Sequence, residues 1–266
     1  MSTPSITGPP RPGLASAWRM LAQQSYAGLL SLVRIPAFSV TGIALPVMFW
    51  AFFGLPNVGR NLGGIDAGEY TLATYGAYAI SSMMLFNFGI GVAQERGQKL
   101  DLLIRATPLP ASIYLVSKLI VAMVFGVFAL AVLFLFGAVA GHVFIPADRL
   151  LLMVTRLLLG ALPFIAMGFA IGYTFGANAA PGATNLIYLP MAFSSGILVP
   201  IDFLPDLVRK IAPYLPTYHY GQLALSSVGA QAEDWTTSAV WLVGYTVIFF
   251  AIAFRQYRRE EVRKYG

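Results

Sequence analysis

No cysteine occurs among the 266 residues, and histidine occurs only twice, at His142 and His219. The first absence excludes a disulfide framework and a thiolate metal site. The second argues against a multi-histidine metal centre. Charge is equally scarce, at 11% of residues, against about 25% in an ordinary soluble domain. No Gly-Lys pair occurs anywhere, so the chain lacks the Gly-x-x-x-x-Gly-Lys-Ser/Thr cradle that holds nucleotide phosphates, and it cannot hydrolyse ATP with one. Carboxylates are missing from the depth of every apolar run, which counts against a proton- or sodium-coupled secondary transporter, as does the want of inverted repeats. Asp202 and Asp206 are the only two Asp within five residues of each other. The paired Asp-rich motifs of an intramembrane prenyltransferase are therefore absent too.

What fills the chain is apolar surface. Hydrophobic residues make up 58% and mean hydropathy is +0.72. Several runs reach the ~20 residues needed to cross ~30 Å of hydrocarbon. The composition describes an all-α polytopic membrane protein, with six transmembrane helices at 35–55, 70–93, 119–140, 150–175, 183–199 and 235–254, within one domain covering 35–254. Residues 1–12, rich in Ser, Thr and Pro, read as a disordered tail without a signal peptide. Residues 13–34 place Leu14, Trp18, Leu21, Leu29 and Val33 on one stripe, as in an amphipathic helix lying in the membrane interface. A soluble partner's groove would suit the same stripe.

An even number of spans puts both termini on one side. Assigning the N-terminus, the 94–118 connection and the 255–266 tail to that side gives it 12 of the 17 basic and 4 of the 11 acidic residues. That side is then cytoplasmic, in an inner or plasma membrane. The basic tail (Arg255, Arg258, Arg259) suits anionic lipid headgroups, so the net charge of +6 needs no nucleic acid to explain it.

One charged island interrupts the apolar runs. Residues 94–110 carry Glu95, Arg96, Lys99, Asp101 and Arg105. The i, i+4 pairs Glu95/Lys99 and Asp101/Arg105 support a short helix, with Leu100 on its apolar side. A solvated loop is the alternative. Within the spans, Gly168/Gly172/Gly176 and Gly137/Gly141 form small stripes for close helix approach. Pro46, Pro163 and Pro190 are placed to kink their helices, while Lys118 and Arg156 lie where long side chains snorkel outward. Neutral polar groups sit deep in the second span (Ser81, Ser82, Asn87) beside Met83 and Phe86. A second such set, Asn185, Ser194 and Ser195, accompanies Tyr188 and Met191 in the fifth. They suit a pathway for a large amphiphile, or interhelical hydrogen bonds. The 200–222 segment, opening a helix at Pro205, should be re-entrant or interfacial on the outer face, its aromatic residues (Tyr214, Tyr218, Tyr220) at the interface. His219 fits that interface better than a ligand role.

Taken together, the chain resembles the permease subunits of ABC-2 type transporters. The resemblance rests on the interface helix, the spans and Glu95-Arg96-x-x-x-x-Leu100 running to Pro108. It rests most on Asn185…Pro190-x-x-x-Ser194-Ser195-Gly196-x-x-x-Pro200, followed by Phe203-Leu204-Pro205 and Tyr214-Leu215-Pro216-x-Tyr218. It implies a non-enzymatic subunit that pairs with a second permease copy, a homodimer rather than a heterodimer, and with two ATP-binding subunits that hold the ATP and Mg. It implies that Glu95, Arg96, Gly97, Lys99, Leu100, Asp101 and Arg105 form the coupling helix. The translocation pathway would be lined by Ser82, Met83, Phe86, Asn87, Asn185, Tyr188, Met191, Ser194 and Ser195. No outer carbohydrate-binding extension is present, so a drug-like or lipid-like cargo is favoured over a polysaccharide or lipid-linked glycan.

Overall fold

A computed structural model describes residues 16–34, 36–99 and 109–265. The described chain is almost entirely helical. Helix α1 (Ala17–Arg34) is followed by α2 (Pro36–Phe49), which runs on through a π-turn (Trp50–Gly54) and a 3-10 turn (Leu55–Asn57). A two-residue hairpin, β1 (Asn61–Leu62) with β2 (Ile65–Asp66), leads into α3 (Ala67–Gly97). Next come α4 (Ala111–Gly141), α5 (Ala147–Gly160), α6 (Leu162–Thr174) and α7 (Ala180–Ser194). Two shorter helices, α8 (Asp206–Ile211) and α9 (Pro216–Val228), precede α10 (Trp235–Tyr265).

Helix α3 is the axis. Its 31 residues make a rod of about 46 Å at 1.5 Å per residue, longer than ~30 Å of hydrocarbon. Every residue from 70 to 85 is buried, as expected of a helix that is apolar all round and enclosed by others. Asp66 starts it cleanly: Oδ1 accepts from the Gly68 amide at 2.7 Å and Oδ2 from Gly59 at 2.6 Å, an N-cap of standard chemistry. Helix α6 lies directly against its second half. A Cβ on Gly168 would sit 2.8 Å from Phe88 Cβ and 3.0 Å from both the Gly89 nitrogen and the Leu85 oxygen. One on Gly172 would meet the Phe88 oxygen and Val92 Cβ at 3.0 Å, whereas Gly176 faces open space. Two glycines of the stripe thus pack inside the chain and the third does not.

Among the described residues, four helical stretches are long and apolar enough to cross a membrane: Ala67–Gly97, Ser112–Gly141, Ala147–Thr174 and Trp235–Arg259. The 36–57 path is a shorter apolar helix, and its π-turn follows Pro46, whose missing N–H already leaves a carbonyl free. The buried Trp50 indole donates to the Gly68 carbonyl at 3.2 Å and ties that turn to the head of α3. Helix α7 ends at Ser194, five residues before the expected end of a fifth span, because Gly196 takes a left-handed conformation (φ 87°) and reverses the chain. Pro163 falls in the first turn of α6 after a break at Ala161 instead of kinking one continuous helix.

The chain after α7 departs most from expectation. Helix α8 opens at Pro205 as its sequence indicates, but the larger element is α9. That helix is mostly buried, with Tyr220 and His219 at 0% and 1% exposure. Tyr220 is therefore not an interface residue: its hydroxyl donates to the Leu157 carbonyl at 2.8 Å and its ring packs edge-on against Phe164. Arg156 does not snorkel either. It donates to Ser226 and Ser227 Oγ at 3.2 Å, lies over the Trp235 ring, and is joined by Arg149, which donates to the Val228 carbonyl at 3.0 Å. Two guanidiniums thereby meet the negative C-terminal end of α9.

Candidate functional site

The Gly97 end of α3 is bound directly to two other helices and through one of them to a third. Lys118 Nζ of α4 donates to Glu95 Oε2 at 2.7 Å, and the Tyr114 hydroxyl donates to the same oxygen. Arg96 turns the other way, donating to the Gly172 carbonyl of α6 with its guanidinium 5.3 Å from the Tyr173 ring centroid. Tyr173 in turn meets Tyr257 of α10 edge-on at 5.4 Å. Gly97 faces Ala177, which a Cβ would approach to 2.9 Å.

This arrangement replaces the expected Glu95/Lys99 pair. Helix α3 stops at Gly97, and Lys99 adopts a left-handed backbone (φ 57°) that takes its side chain out of helical register with Glu95. Lys118, expected to snorkel, is instead drawn in, its side chain 10% exposed. Leu100, Asp101 and Arg105 lie outside the described residues, and with them the Asp101/Arg105 pair. Of the charged island, then, Glu95 and Arg96 brace the bundle, while Lys99 is exposed and Gly97, also exposed, abuts Ala177.

The nine residues expected along a pathway separate into three groups. Ser82, Met83, Tyr188 and Ser195 are buried in packing. The Tyr188 hydroxyl lies 2.7 Å from Ser81 Oγ and 3.2 Å from the Tyr78 carbonyl, with its ring stacked on Tyr78. Ser82 and Ser195 return their hydroxyls to their own backbones, at Ala79 and Ala192. Phe86 and Asn87 form the second group and line a cleft of about 390 Å³ between α1, α3 and α4. The third group lies on α7. Asn185 is exposed and donates to the Pro181 carbonyl at 2.9 Å, Met191 is half-buried with its carbonyl accepting from Thr217, and Ser194 is half-buried. The deep polar side chains thus serve helix contacts at some positions and open onto a cavity at others.

A second cavity of about 400 Å³ lies at the Asp66 end, between the π-turn, α3 and the tail of α7. Phe49, Phe53, Tyr75, Phe193, Leu198 and Phe203 make its floor, and Arg60, Asn57 and Asn61 its polar rim. Arg60 donates to Asn57 Oδ1 at 2.8 Å. Aromatic walls with a few placed polar groups are what binding of an amphiphile requires. Sequence reasoning missed Phe49, Phe53 and Arg60, because each falls in a different segment and only the fold gathers them. At the same end, His219 Nδ1 sits 3.0 Å from Glu233 and Nε2 2.8 Å from the Pro213 carbonyl. Burial lowers its pKa from the ordinary value, with Glu233 and the carbonyl opposing. Among the described residues no group of three or more His, Asp or Glu is placed to hold a metal ion.

Comparison with known proteins gives these features a family. The sequence model described as "ABC-2 family transporter protein" matches residues 60–255. The chain is also 30% identical over 243 residues to a Bacillus subtilis (strain 168) protein named as a transport permease, YvfS, an alignment covering 91% of this chain and 98% of that one.

Proposed function

Because the chain belongs to the ABC-2 transporter family, we propose that it is the permease subunit of an ATP-driven exporter, moving an amphiphilic drug-like or lipid-like molecule. Two copies assemble with two ATP-binding subunits, which hold the ATP and Mg, since this chain carries no Gly-Lys phosphate cradle. The membrane contains four long spans together with two shorter ones, the 36–57 path and α7, giving six. The basic face is cytoplasmic, which puts the Gly97 end of α3 and both termini on the cytoplasmic side of the cell membrane.

The observation that carries this reading is the single helix from Ala67 to Gly97, which has the charged island at one end and the aromatic cavity at the other. A push on the 97–105 segment from a closing ATPase dimer acts on a rod already clamped to α4 through Glu95 and to α6 through Arg96. The rod moves with its clamps, and the motion meets the rest of the bundle at the wall shared with α7, where Tyr188 bonds to Ser81 and Tyr78. Energy is transferred only as far as the nucleotide-bound partner prefers one permease conformation over the other. Coupling thus involves Glu95, Arg96, Gly97, Lys99, Leu100, Asp101 and Arg105, and passage of the cargo involves Ser82, Met83, Phe86, Asn87, Asn185, Tyr188, Met191, Ser194 and Ser195.

Co-purification with the P-loop ATPase encoded nearest to it, followed by ATPase assays with candidate amphiphiles, tests the proposal. A stable complex whose hydrolysis rises with an amphiphile is the expected result. A chain that transports in liposomes without any ATPase refutes it.

A further inference from the structure

The cleft between α1, α3 and α4 has a feature that a coupling role does not use. Lys118 Nζ donates one proton to Glu95 Oε2, and among the described residues its other two N–H groups meet no acceptor. Both described bonds to Glu95, from Lys118 and Tyr114, reach Oε2, and among the described residues Oε1 accepts none. The two charges therefore form a neutral pair with spare valence of both signs, and both face a space of about 390 Å³. Amides and hydroxyls complete the wall, with Asn87 and Gln94 on α3, Ser117 on α4 and Gln24 on α1. Phe86, Ile90 and Val121 supply apolar surface beside them.

A lone cation would have to compete with Lys118, and a lone anion with Glu95. A headgroup that carries an ammonium and a phosphate a few bonds apart meets neither obstacle. Its phosphate takes the free protons of Lys118 and its ammonium takes Glu95 Oε1. The cleft is also at the right depth. Helix α1 forms one of its walls at Gly28, where a Cβ would stand 2.9 Å from Val121, and it turns Trp18 and Tyr26 outward at 80% and 65% exposure. Exposed aromatics of this kind mark headgroup level.

We propose that this cleft holds the zwitterionic ammonium–phosphate headgroup of one membrane phospholipid, phosphatidylethanolamine being the simplest, with Lys118 and Glu95 as its two poles. The proposed orientation sets this cleft in the cytoplasmic leaflet, and nothing else in the proposal depends on that orientation. Phe86, Asn87 and Glu95 of this wall also have parts in the proposed transport, but the test involves neither ATP nor cargo, so its failure is distinguishable from a failure of that reading.

The full chain is purified, exchanged into nanodiscs of phosphatidylethanolamine, phosphatidylcholine or phosphatidylglycerol, and examined by native mass spectrometry for retained lipid. Wild type should keep one phosphatidylethanolamine at least about tenfold more strongly than phosphatidylglycerol, the scale of one charge-assisted bond. Glu95→Gln leaves Lys118 alone and should reverse the preference towards phosphatidylglycerol, while Lys118→Met should lose both lipids. A merely structural role for the pair would not produce that reversal. Gln24→Trp fills the cleft from α1 without touching the pair and should also abolish retention, which keeps the proposal testable if the charge variants fail to fold. Equal retention of the zwitterionic and anionic lipids by wild type, or unchanged retention in Gln24→Trp, overturns it. Soluble glycerophosphoethanolamine should not compete at millimolar concentration; binding as tight as the lipid's would overturn the assignment to a membrane lipid.

Discussion

Replacing Gly168 by Ala tests how closely α3 and α6 are joined. The added Cβ would stand 2.8 Å from Phe88 Cβ, 3.0 Å from the Gly89 nitrogen and 3.0 Å from the Leu85 oxygen. Two of these three atoms are backbone of a buried helix, so neither can swing aside as the end of a side chain would. The helices must separate, and overpacking of this kind costs about 1–3 kcal/mol. Ala also raises helix propensity by roughly 0.8–1 kcal/mol over Gly, which offsets part of that. A net loss of up to about 2 kcal/mol, centred near 1 kcal/mol, remains, and 1 kcal/mol is a fall of roughly 2–4 °C in melting temperature for a domain of this size. Gly176→Ala is the control, because nothing lies within 4 Å of its Cβ. The assay is thermal unfolding of the detergent-solubilised chain followed by size-exclusion fluorescence. Gly172→Ala should resemble Gly168→Ala, and the double variant should fall short of additivity, since one separation relieves both contacts. If Gly168→Ala melts within 1 °C of Gly176→Ala, by this order-of-magnitude estimate the seam is not packed as described.

Three further outcomes follow from the same geometry. Tyr188→Phe removes the hydroxyl bonded to Ser81 and Tyr78 but keeps the stacked ring, and should cost about 1–2 kcal/mol, whereas Tyr188→Ala should cost about 3–5 kcal/mol by opening a cavity, both measurable as melting shifts. Lys99→Glu, at an exposed position, should leave the melting temperature within about 1 °C of wild type yet weaken the partner's stimulated ATPase, while Arg96→Glu should destabilise the chain by losing Gly172 and Tyr173; equal melting losses in the two would contradict the division between outward and bracing charges. His219, with its pKa lowered by burial, resists protonation in the folded state, so the unfolded chain binds a proton first as pH falls and stability declines below the ordinary histidine value near 6.5. His219→Gln should flatten the difference in melting temperature between pH 5 and pH 7.5, and a slope identical to wild type would rule the residue out as its source.

The apolar runs were legible because hydropathy needs no tertiary context, and so was the helix start at Pro205, which acts within one turn. The partners of the charges were not. Spacing paired Glu95 with Lys99 on the assumption that the helix continues, but α3 ends at Gly97 and the cation comes from Lys118, 23 residues on. Helix α9 was hidden for a different reason. Its sequence is rich in Tyr, His and Ser, which looks interfacial, yet the polar tips are satisfied inside the bundle by Leu157, Glu233 and Arg156. A buried polar group costs little once it is hydrogen-bonded, and composition alone cannot distinguish that state from exposure.

The glycine stripe and the polar pairs place their contacts in a definite order along α3. Towards the Asp66 end, Thr71 and Tyr75 border the aromatic cavity; in the middle, Tyr78 and Ser81 hold Tyr188 of α7; beyond that, Leu85, Phe88 and Val92 meet the glycines of α6; at the end, Glu95 and Arg96 grip α4 and α6. The α6 contact brings Gly168 and Gly172 against the backbone of α3 and against the Cβ atoms of Phe88 and Val92, with little room for either helix to slide, so α3 and α6 move as one body. The α7 contact runs through the buried Tyr188 and through Thr184, which a Cβ on Gly89 would approach to 3.3 Å; Pro190 lies in the same helix, and α7 turns Leu186 away from the bundle. Relative motion within the described chain is therefore easiest between α3 and α7, at the wall that also borders the aromatic cavity. A disulfide joining α3 to α6 should leave any activity of the assembled transporter intact, whereas one joining α3 to α7 near Tyr78 and Tyr188 should abolish it. Reversal by a thiol reductant separates a locked wall from a misfolded one, and an active oxidised α3–α7 variant would place the motion elsewhere.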